Sequence, residues 1–77
     1  MSLNELLKLT HKRALMSQED FAKNIRVSVA TINRWENGRN KPNLTAMRRI
    51  KQFCEDNKLP FDEIEKEWLP HSSEDSK

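Results

Sequence analysis

The chain has 77 residues, 35% of them hydrophobic, and one cysteine, so it can form one small domain around a single apolar core and no intramolecular disulfide. Residues 1–54 carry 11 Lys/Arg and 4 Asp/Glu, a net charge of +7, whereas residues 55–77 carry 3 and 8, a net charge of −5. This segregation favours a polyanionic partner for the basic part, although an uneven solvated surface explains it as well.

The first three helices are predicted from apolar spacing and from serine caps. Residues 3–15 have apolar side chains at helical spacing and form predicted helix 1. Ser17 is predicted to cap helix 2, because an acidic residue follows three positions later, as in a capping box. Ser28 is predicted to cap helix 3, which spans 28–37, and Gly38 is placed to end it in a left-handed conformation. The predicted inward-facing residues are Leu3, Leu6, Leu7, Thr10 and Ala14 in helix 1, Phe21, Ala22 and Ile25 in helix 2, and Ile32 and Trp35 in helix 3.

Two further helices complete the predicted domain. Helix 4 begins near Leu44 after a basic, polar loop, and Pro60 is predicted to open helix 5, whose outward residues are mostly acidic. No segment alternates like a strand, so the predicted fold class is all-α. The predicted domain spans residues 1–69, and residues 70–77 form a polar tail that we expect to be disordered. The predicted inward-facing residues are Leu44, Met47, Ile50 and Phe53 or Cys54 in helix 4, and Phe61, Ile64, Trp68 and Leu69 in helix 5.

The tight joint between helices 2 and 3 has a structural explanation. Only residues 25–27 separate the two helices, and a single short helix is not stable in water. Two short helices support each other when they cross over one apolar contact and a third helix backs them. The small and apolar residues that such a crossing needs are present as Ala22, Val27, Ile32 and Trp35. This pattern indicates a helix-turn-helix, whose second helix enters the DNA major groove.

At these residues the chain resembles a known family. The stretch SQEDFAKNIRVSVATINRWENGRNKPN is similar to the Cro/phage-repressor (XRE-type) helix-turn-helix family. The matching features are Ser-Gln at 17–18, Ala22, Val-Ser at 27–28, Thr-Ile at 31–32, Arg-Trp-Glu-Asn-Gly at 34–38 and Lys-Pro at 41–42. The resemblance covers roughly residues 3–69 and implies a compact, five-helix, lambda-repressor-like DNA-binding domain with the helix-turn-helix at helices 2 and 3.

Two residues depart from the family pattern. Arg26 stands where the family usually has glycine in the turn, and an arginine at positive φ costs about 1 kcal/mol relative to glycine, so the turn is either adjusted or strained. His11 stands where the family often has an arginine that pairs with the glutamate late in helix 3, here Glu36. Either His11 forms this pair, which is then pH-sensitive because imidazoles titrate near neutrality, or it is an exposed surface residue.

The resemblance implies the DNA-binding residues Gln18, Ser28, Val29, Ala30, Thr31, Asn33, Arg34, Asn37, Arg39 and Lys41. In the family, the residue matching Gln18 donates to a phosphate and supports the reading helix; the alternative is a solvated side chain at a helix start. Arg34 can contact guanine and Asn33 adenine through paired hydrogen bonds, or they contact phosphate and water only. Val29 and Ala30 can press on a thymine methyl group.

Other polar residues have less specific expectations. Thr31 binds either a phosphate or its own helix. The loop after helix 3 is expected to follow the DNA backbone or to be solvated, and it contains Asn37, Arg39, Asn40, Lys41 and Asn43. Five further cations are expected to be general basic surface: Lys12, Arg13, Arg48, Arg49 and Lys51. Ile32, Trp35 and Cys54 are interpreted as core.

No chemistry of catalysis or metal binding is indicated. His11, His71 and Cys54 lack metal-ligand spacing, no nucleophile–base pattern stands out, and no cofactor is expected. We therefore expect no catalytic residue, no metal site and no enzyme activity. No apolar run approaches the ~20 residues of a membrane span, and no signal peptide opens the chain, so we expect no membrane association. A cytoplasmic, nucleoid-associated protein is expected.

The resemblance implies a sequence-specific protein that binds double-stranded DNA and regulates transcription, usually as a repressor. One alternative is a DNA-targeting module of, or partner to, a larger DNA-modifying protein or a toxin–antitoxin system. Another is an interaction domain without DNA binding, against which Gln18, Arg34 and Arg39 argue. Family members often bind palindromes as dimers, but the sequence defines no homodimer seam. Helix 60–69 offers a face for a protein partner, unless Trp68 simply covers the core.

Overall fold

The computed structural model describes residues 1–69 as a bundle of helices. These are α1 (Leu3–Arg13), α2 (Gln18–Asn24), α3 (Val29–Glu36), α4 (Leu44–Asp56) and α5 (Asp62–Trp68). Residues 1–69 contain no β-strand, so the predicted all-α, five-helix architecture is confirmed. The predicted tail, residues 70–77, lies outside the described residues.

Polar caps fix where four of the helices begin. The Ser17 hydroxyl accepts the Asp20 backbone N–H, and the Ser28 hydroxyl accepts the Thr31 N–H, each at 3.1 Å, so both predicted caps are confirmed. Asn43 caps α4 in the same way, because its side chain accepts the Ala46 N–H at 2.8 Å. A complete capping box is found at α1, between Ser2 and Glu5, where hydrogen bonds from Ser2 hold the pKa of Glu5 below its ordinary value.

The ends of four helices share one backbone motif. After each helix, one residue has a positive φ: Leu15 (58°), Arg26 (60°), Gly38 (75°) and Lys58 (56°). At the end of α2, the Val27 N–H donates to Ala22 O and the Arg26 N–H donates to Lys23 O, which is a Schellman arrangement. Gly38 is therefore the predicted left-handed stop, and Arg26 adopts the left-handed conformation that its position in the turn requires.

The core lies where α2 and α3 pack on the remaining helices. Ala22, Ile32 and Trp35 are buried and Val27 is half-buried, as the crossing of α2 and α3 predicts.

The Phe21 and Phe53 rings meet edge to face, with centroids 5.0 Å apart. Burial in this core raises the pKa of the Cys54 thiol to about 11, so the side chain is neutral at physiological pH. The interpretation of Ile32, Trp35 and Cys54 as core is confirmed.

Three predictions at helix ends were wrong: that Leu44 faces inward, that Leu69 faces inward, and that Pro60 opens the last helix. Leu44 and Leu69 are 55% and 52% exposed, because they lie at the first residue of α4 and just after α5, beyond the turns that pack on the core. Pro60 does not open α5: the first intrahelical bond runs from the Glu65 N–H to Phe61 O, which makes Phe61 the N-cap residue. The predicted helix 28–37 included its two caps, since α3 proper is Val29–Glu36.

Candidate nucleic-acid interface

The outward side of α3 brings four of the predicted site residues onto one exposed surface. Val29, Ala30, Asn33 and Arg34 are all exposed and follow one another at helical spacing. The opposite side of the helix is buried, with Ile32 0% and Trp35 5% exposed, because it packs against α1 and α2. The core therefore decides which side chains α3 presents to a partner.

The polar residues on this surface already make local contacts. The Asn37 amide donates to Asn33 Oδ1 at 2.5 Å, so Asn33 keeps its amide N–H groups for another acceptor, while its oxygen is engaged within the helix. The Thr31 and Ser28 hydroxyls lie 2.9 Å apart, and Ser28 also caps the helix. Thr31 thus makes the local contact that was one of its two expected roles.

Gln18 connects the start of α2 to the end of α3. It is the first residue of α2, it is half-buried, and its Nε2 donates to Glu36 Oε1 at 2.7 Å. Because a glutamine amide carries two N–H groups, this bond leaves one N–H and the amide oxygen for another partner. Gln18 therefore links α2 to the last residue of α3.

A buried contact between a histidine and a carboxylate lies on the other side of Glu36. His11 Nε2 lies 2.9 Å from Glu36 Oε2, and both side chains are nearly inaccessible, at 7% and 3% exposure. The two atoms are close but not aligned as a standard hydrogen bond. His11 Nδ1 lies 2.8 Å from Met16 O, and Asn4 donates to Glu36 O at 3.3 Å. The predicted His11–Glu36 pair is confirmed, whereas the contacts of Asn4 and Met16 had no local sequence signal.

The loop after α3 presents a polar edge next to the exposed side of that helix. Asn37, Arg39, Asn40 and Lys41 are exposed there, while Pro42 is buried and its carbonyl accepts Trp68 Nε1–H at 2.6 Å. This bond ties the loop to α5 and confirms that Trp68 packs against the core. Asn43, which was expected to follow DNA with the loop, instead uses its side chain to cap α4.

Arg49 was wrongly interpreted as general basic surface. Arg49 is half-buried, and its Nη1 lies 3.4 Å from both Ile25 O and Arg26 O, the carbonyls of the helix-turn-helix turn. These contacts place a cation at the carboxyl end of α2, where it interacts favourably with unpaired carbonyls. The other four cations of that group are exposed, as expected: Lys12, Arg13, Arg48 and Lys51.

Within residues 1–69, no group of three His, Cys, Asp or Glu side chains is arranged to hold a metal ion. None of the helices in this part of the chain has the length and apolarity that crossing a membrane requires.

The arrangement is that of a helix-turn-helix DNA-binding domain. A family model described as helix-turn-helix matches residues 12–55, more than half of the chain. The chain belongs to this family, the XRE-type helix-turn-helix proteins that include Cro and the phage repressors, and it is a DNA-binding protein. Comparison with curated proteins and with solved structures gave no match.

Proposed function

We propose that the chain is a sequence-specific binder of double-stranded DNA that regulates transcription, of the repressor type, and that it reads the major groove with α3. The observation that carries this proposal is the exposed surface of α3. It combines a guanidinium, an amide and two small apolar side chains, and no acidic residue is exposed between Ser28 and Lys41. These groups match the chemistry of base edges in the major groove.

Arg34 and Asn33 are proposed to read bases. Arg34 can donate two parallel hydrogen bonds to guanine O6 and N7, and each such pair contributes ~1–3 kcal/mol of discrimination. Asn33 can pair with adenine N6 and N7 once the Asn37 amide releases its oxygen. Val29 and Ala30 supply apolar contact for a thymine methyl group. With two polar readers, each half-site is expected to be short.

The backbone contacts are proposed to come from both sides of α3. Gln18 is expected to donate its second amide N–H to a phosphate, with Ser28 and Thr31 at the start of α3 beside it. Arg39 and Lys41 are expected to bind phosphates on the other side through the exposed loop, together with Asn37. These contacts position the helix, and they carry no sequence information themselves.

Repression is proposed to work by occupancy, because a domain of this size that covers a promoter blocks access without performing chemistry. This role requires no cofactor and no catalytic residue. It also requires the protein to meet DNA, so we propose a cytoplasmic, nucleoid-associated location.

The experiment that tests this proposal is selection of bound duplexes from a random DNA library at one fixed, near-physiological salt concentration, followed by sequencing. A palindrome with half-sites about one helical turn apart supports a homodimeric repressor. A single short half-site supports a monomeric targeting module. Absence of any enriched sequence, with Arg34→Ala binding the pool as tightly as the wild type, contradicts specific reading by α3.

A second candidate function has one observation in its favour. Exposed Leu44 and half-buried Phe61 and Trp68 line a groove of about 170 Å³ between α4 and α5. Apolar side chains at such a groove suit a protein partner. In this alternative the chain targets DNA for a larger DNA-modifying protein or for a toxin–antitoxin partner that binds α5.

A further inference from the structure

A continuous set of buried polar contacts joins α1, α3 and α2 behind the proposed DNA surface. His11 on α1 faces one carboxylate oxygen of Glu36 on α3, at 2.9 Å, and Gln18 on α2 donates to the other oxygen, at 2.7 Å. His11 and Glu36 are each only 6% exposed. Because the two oxygens belong to one rigid carboxylate, a movement that follows a change at His11 also moves the acceptor of Gln18.

The contacts of His11 determine where its protons lie. Its Nδ1 faces the Met16 carbonyl at 2.8 Å, and a carbonyl oxygen only accepts hydrogen bonds, so Nδ1 carries a proton. Its Nε2 faces a carboxylate, which is favourable when Nε2 also carries a proton. Both contacts are therefore most favourable in the imidazolium form, in which the Nε2 contact is an attraction between charges rather than an aligned hydrogen bond. In the neutral form with Nδ1 protonated, a nitrogen lone pair faces the Glu36 oxygen.

The charged groups around His11 are few. From α3 the Glu36 carboxylate faces it, and from α2 it meets the Phe21 ring, 5.7 Å between centroids, and through Glu36 the neutral Gln18. On its own helix, the neighbouring Lys12 and Arg13 are exposed to solvent. Glu36 is thus the group through which a change of charge at His11 acts.

We propose that His11 is a positioning residue for DNA binding. When protonated, it holds the Glu36 carboxylate in the position where this carboxylate orients Gln18. Affinity for DNA therefore decreases as pH rises and the imidazole loses its proton. The proposal rests on the phosphate contact proposed above for Gln18. Histidine is the side chain whose charge ordinarily changes within the physiological range of pH, so this contact gives the interface a group that can respond to pH.

The first test measures the dissociation constant of the protein–DNA complex between about pH 5.5 and 8.5 at fixed ionic strength. The DNA is a duplex recovered by selection, or a random-sequence duplex if none is enriched. We expect the wild type to lose roughly threefold to tenfold in affinity across this range, the scale of one phosphate hydrogen bond. His11→Arg, which stays charged, is expected to give a flat profile. Gln18→Ala is expected to bind more weakly and also to give a flat profile, because the contact on which pH acts is gone.

The matched control is His71→Gln, which removes the only other histidine of the chain and is expected to keep the wild-type pH profile. Circular dichroism at each pH checks that the variants are folded. A wild-type profile without slope, or a slope that persists unchanged in Gln18→Ala, overturns the proposal.

A second measurement needs neither DNA nor a variant. In the wild-type protein, NMR follows the imidazole of His11 and the side-chain amide of Gln18 through the same pH range. We expect the Gln18 amide signals to shift with the midpoint of the His11 titration, and signals that stay constant while His11 titrates contradict the proposal. If no duplex is bound at any pH, the proposed function fails, and this measurement still decides whether His11 controls Gln18.

Discussion

Helices α3 and α5 are built alike and differ in the side that faces solvent. They have eight and seven residues, and each has a buried isoleucine, Ile32 or Ile64, and a tryptophan at the seventh position. The exposed residues of α3 are neutral or cationic, whereas those of α5 include Asp62, Glu63 and Glu65. The comparison shows that the apolar stripe decides how a helix docks, and that the charge of its other side decides which partner it can approach.

The two helices also differ in how firmly they are held. Trp35 is 5% exposed, and α3 packs against both α1 and α2. Trp68 is half-buried and gains one hydrogen bond to Pro42 O, and α5 packs against α1. A helix that reads bases must hold its side chains in a fixed position, and the deeper docking of α3 satisfies this requirement.

The largest expected effect tests this difference in docking. Trp35→Ala is expected to lower the free energy of unfolding by about 3–5 kcal/mol, which is a large fraction of the stability of a domain of this size. Trp68→Ala, the matched change in α5, is expected to cost roughly 2 kcal/mol, because less area and one hydrogen bond are lost. Urea unfolding followed by circular dichroism measures both. Equal losses would contradict the view that α3 is the more deeply docked helix.

The next effect tests the exposed surfaces. Arg34→Ala is expected to cost ~1–3 kcal/mol of binding free energy on the preferred duplex and less on random DNA, because a base contact is lost. Lys66→Ala removes an exposed cation from α5 and is expected to leave both affinities unchanged. Fluorescence anisotropy with the two duplexes at one salt concentration measures the four values. Equal losses on preferred and random DNA would remove Arg34 from the base-reading residues.

A smaller effect is expected at the loop between α3 and α4. Arg39→Ala is expected to weaken binding to all duplexes alike and to reduce the slope of log affinity against log salt concentration by about 1, because one phosphate contact is lost. A salt series on preferred and random duplexes measures the slope. A slope that equals the wild-type value would show that Arg39 does not contact the DNA backbone.

Local features of the sequence predicted most of the fold, because caps and periodicity act within a few residues. Ser17, Ser28 and Gly38 carry their signals in their own chemistry, and each ends or begins a helix as predicted. Periodicity was less reliable at helix ends. Leu44 and Leu69 continue the apolar stripe in sequence, but they lie beyond the turns that pack on the core. No local sequence pattern indicates where along a helix this packing stops.

Long-range partners of side chains could not be predicted, because periodicity gives the side of a helix and not the residue it meets. Arg49 and Ile25 are 24 positions apart, so no local pattern indicates that Arg49 meets the turn before α3. The resemblance to the family supplied the His11–Glu36 pair, which spacing alone does not give. The contact between Asn33 and Asn37 was the exception, since residues four apart on a helix are neighbours and the pair was open to prediction.

The smallest effect concerns the chain that leads into each helix, where a cation adopts a positive φ: Arg26 before α3 and Lys58 before α5. The left-handed conformation costs an ordinary residue ~1–2 kcal/mol, and glycine loses about 0.5–1 kcal/mol through its larger unfolded-state entropy. Arg26→Gly and Lys58→Gly are therefore each expected to raise the free energy of unfolding by roughly 0.5–1 kcal/mol, measured by urea unfolding. Gly38→Ala, at φ 75° with only the Asn4 amide 3.9 Å from the added carbon, is expected to lower it by about 1 kcal/mol, because strain is added without a clash. If Arg26→Gly destabilises while Lys58→Gly stabilises, the Arg26 side chain contributes to the turn before α3 in a way that its backbone conformation does not explain.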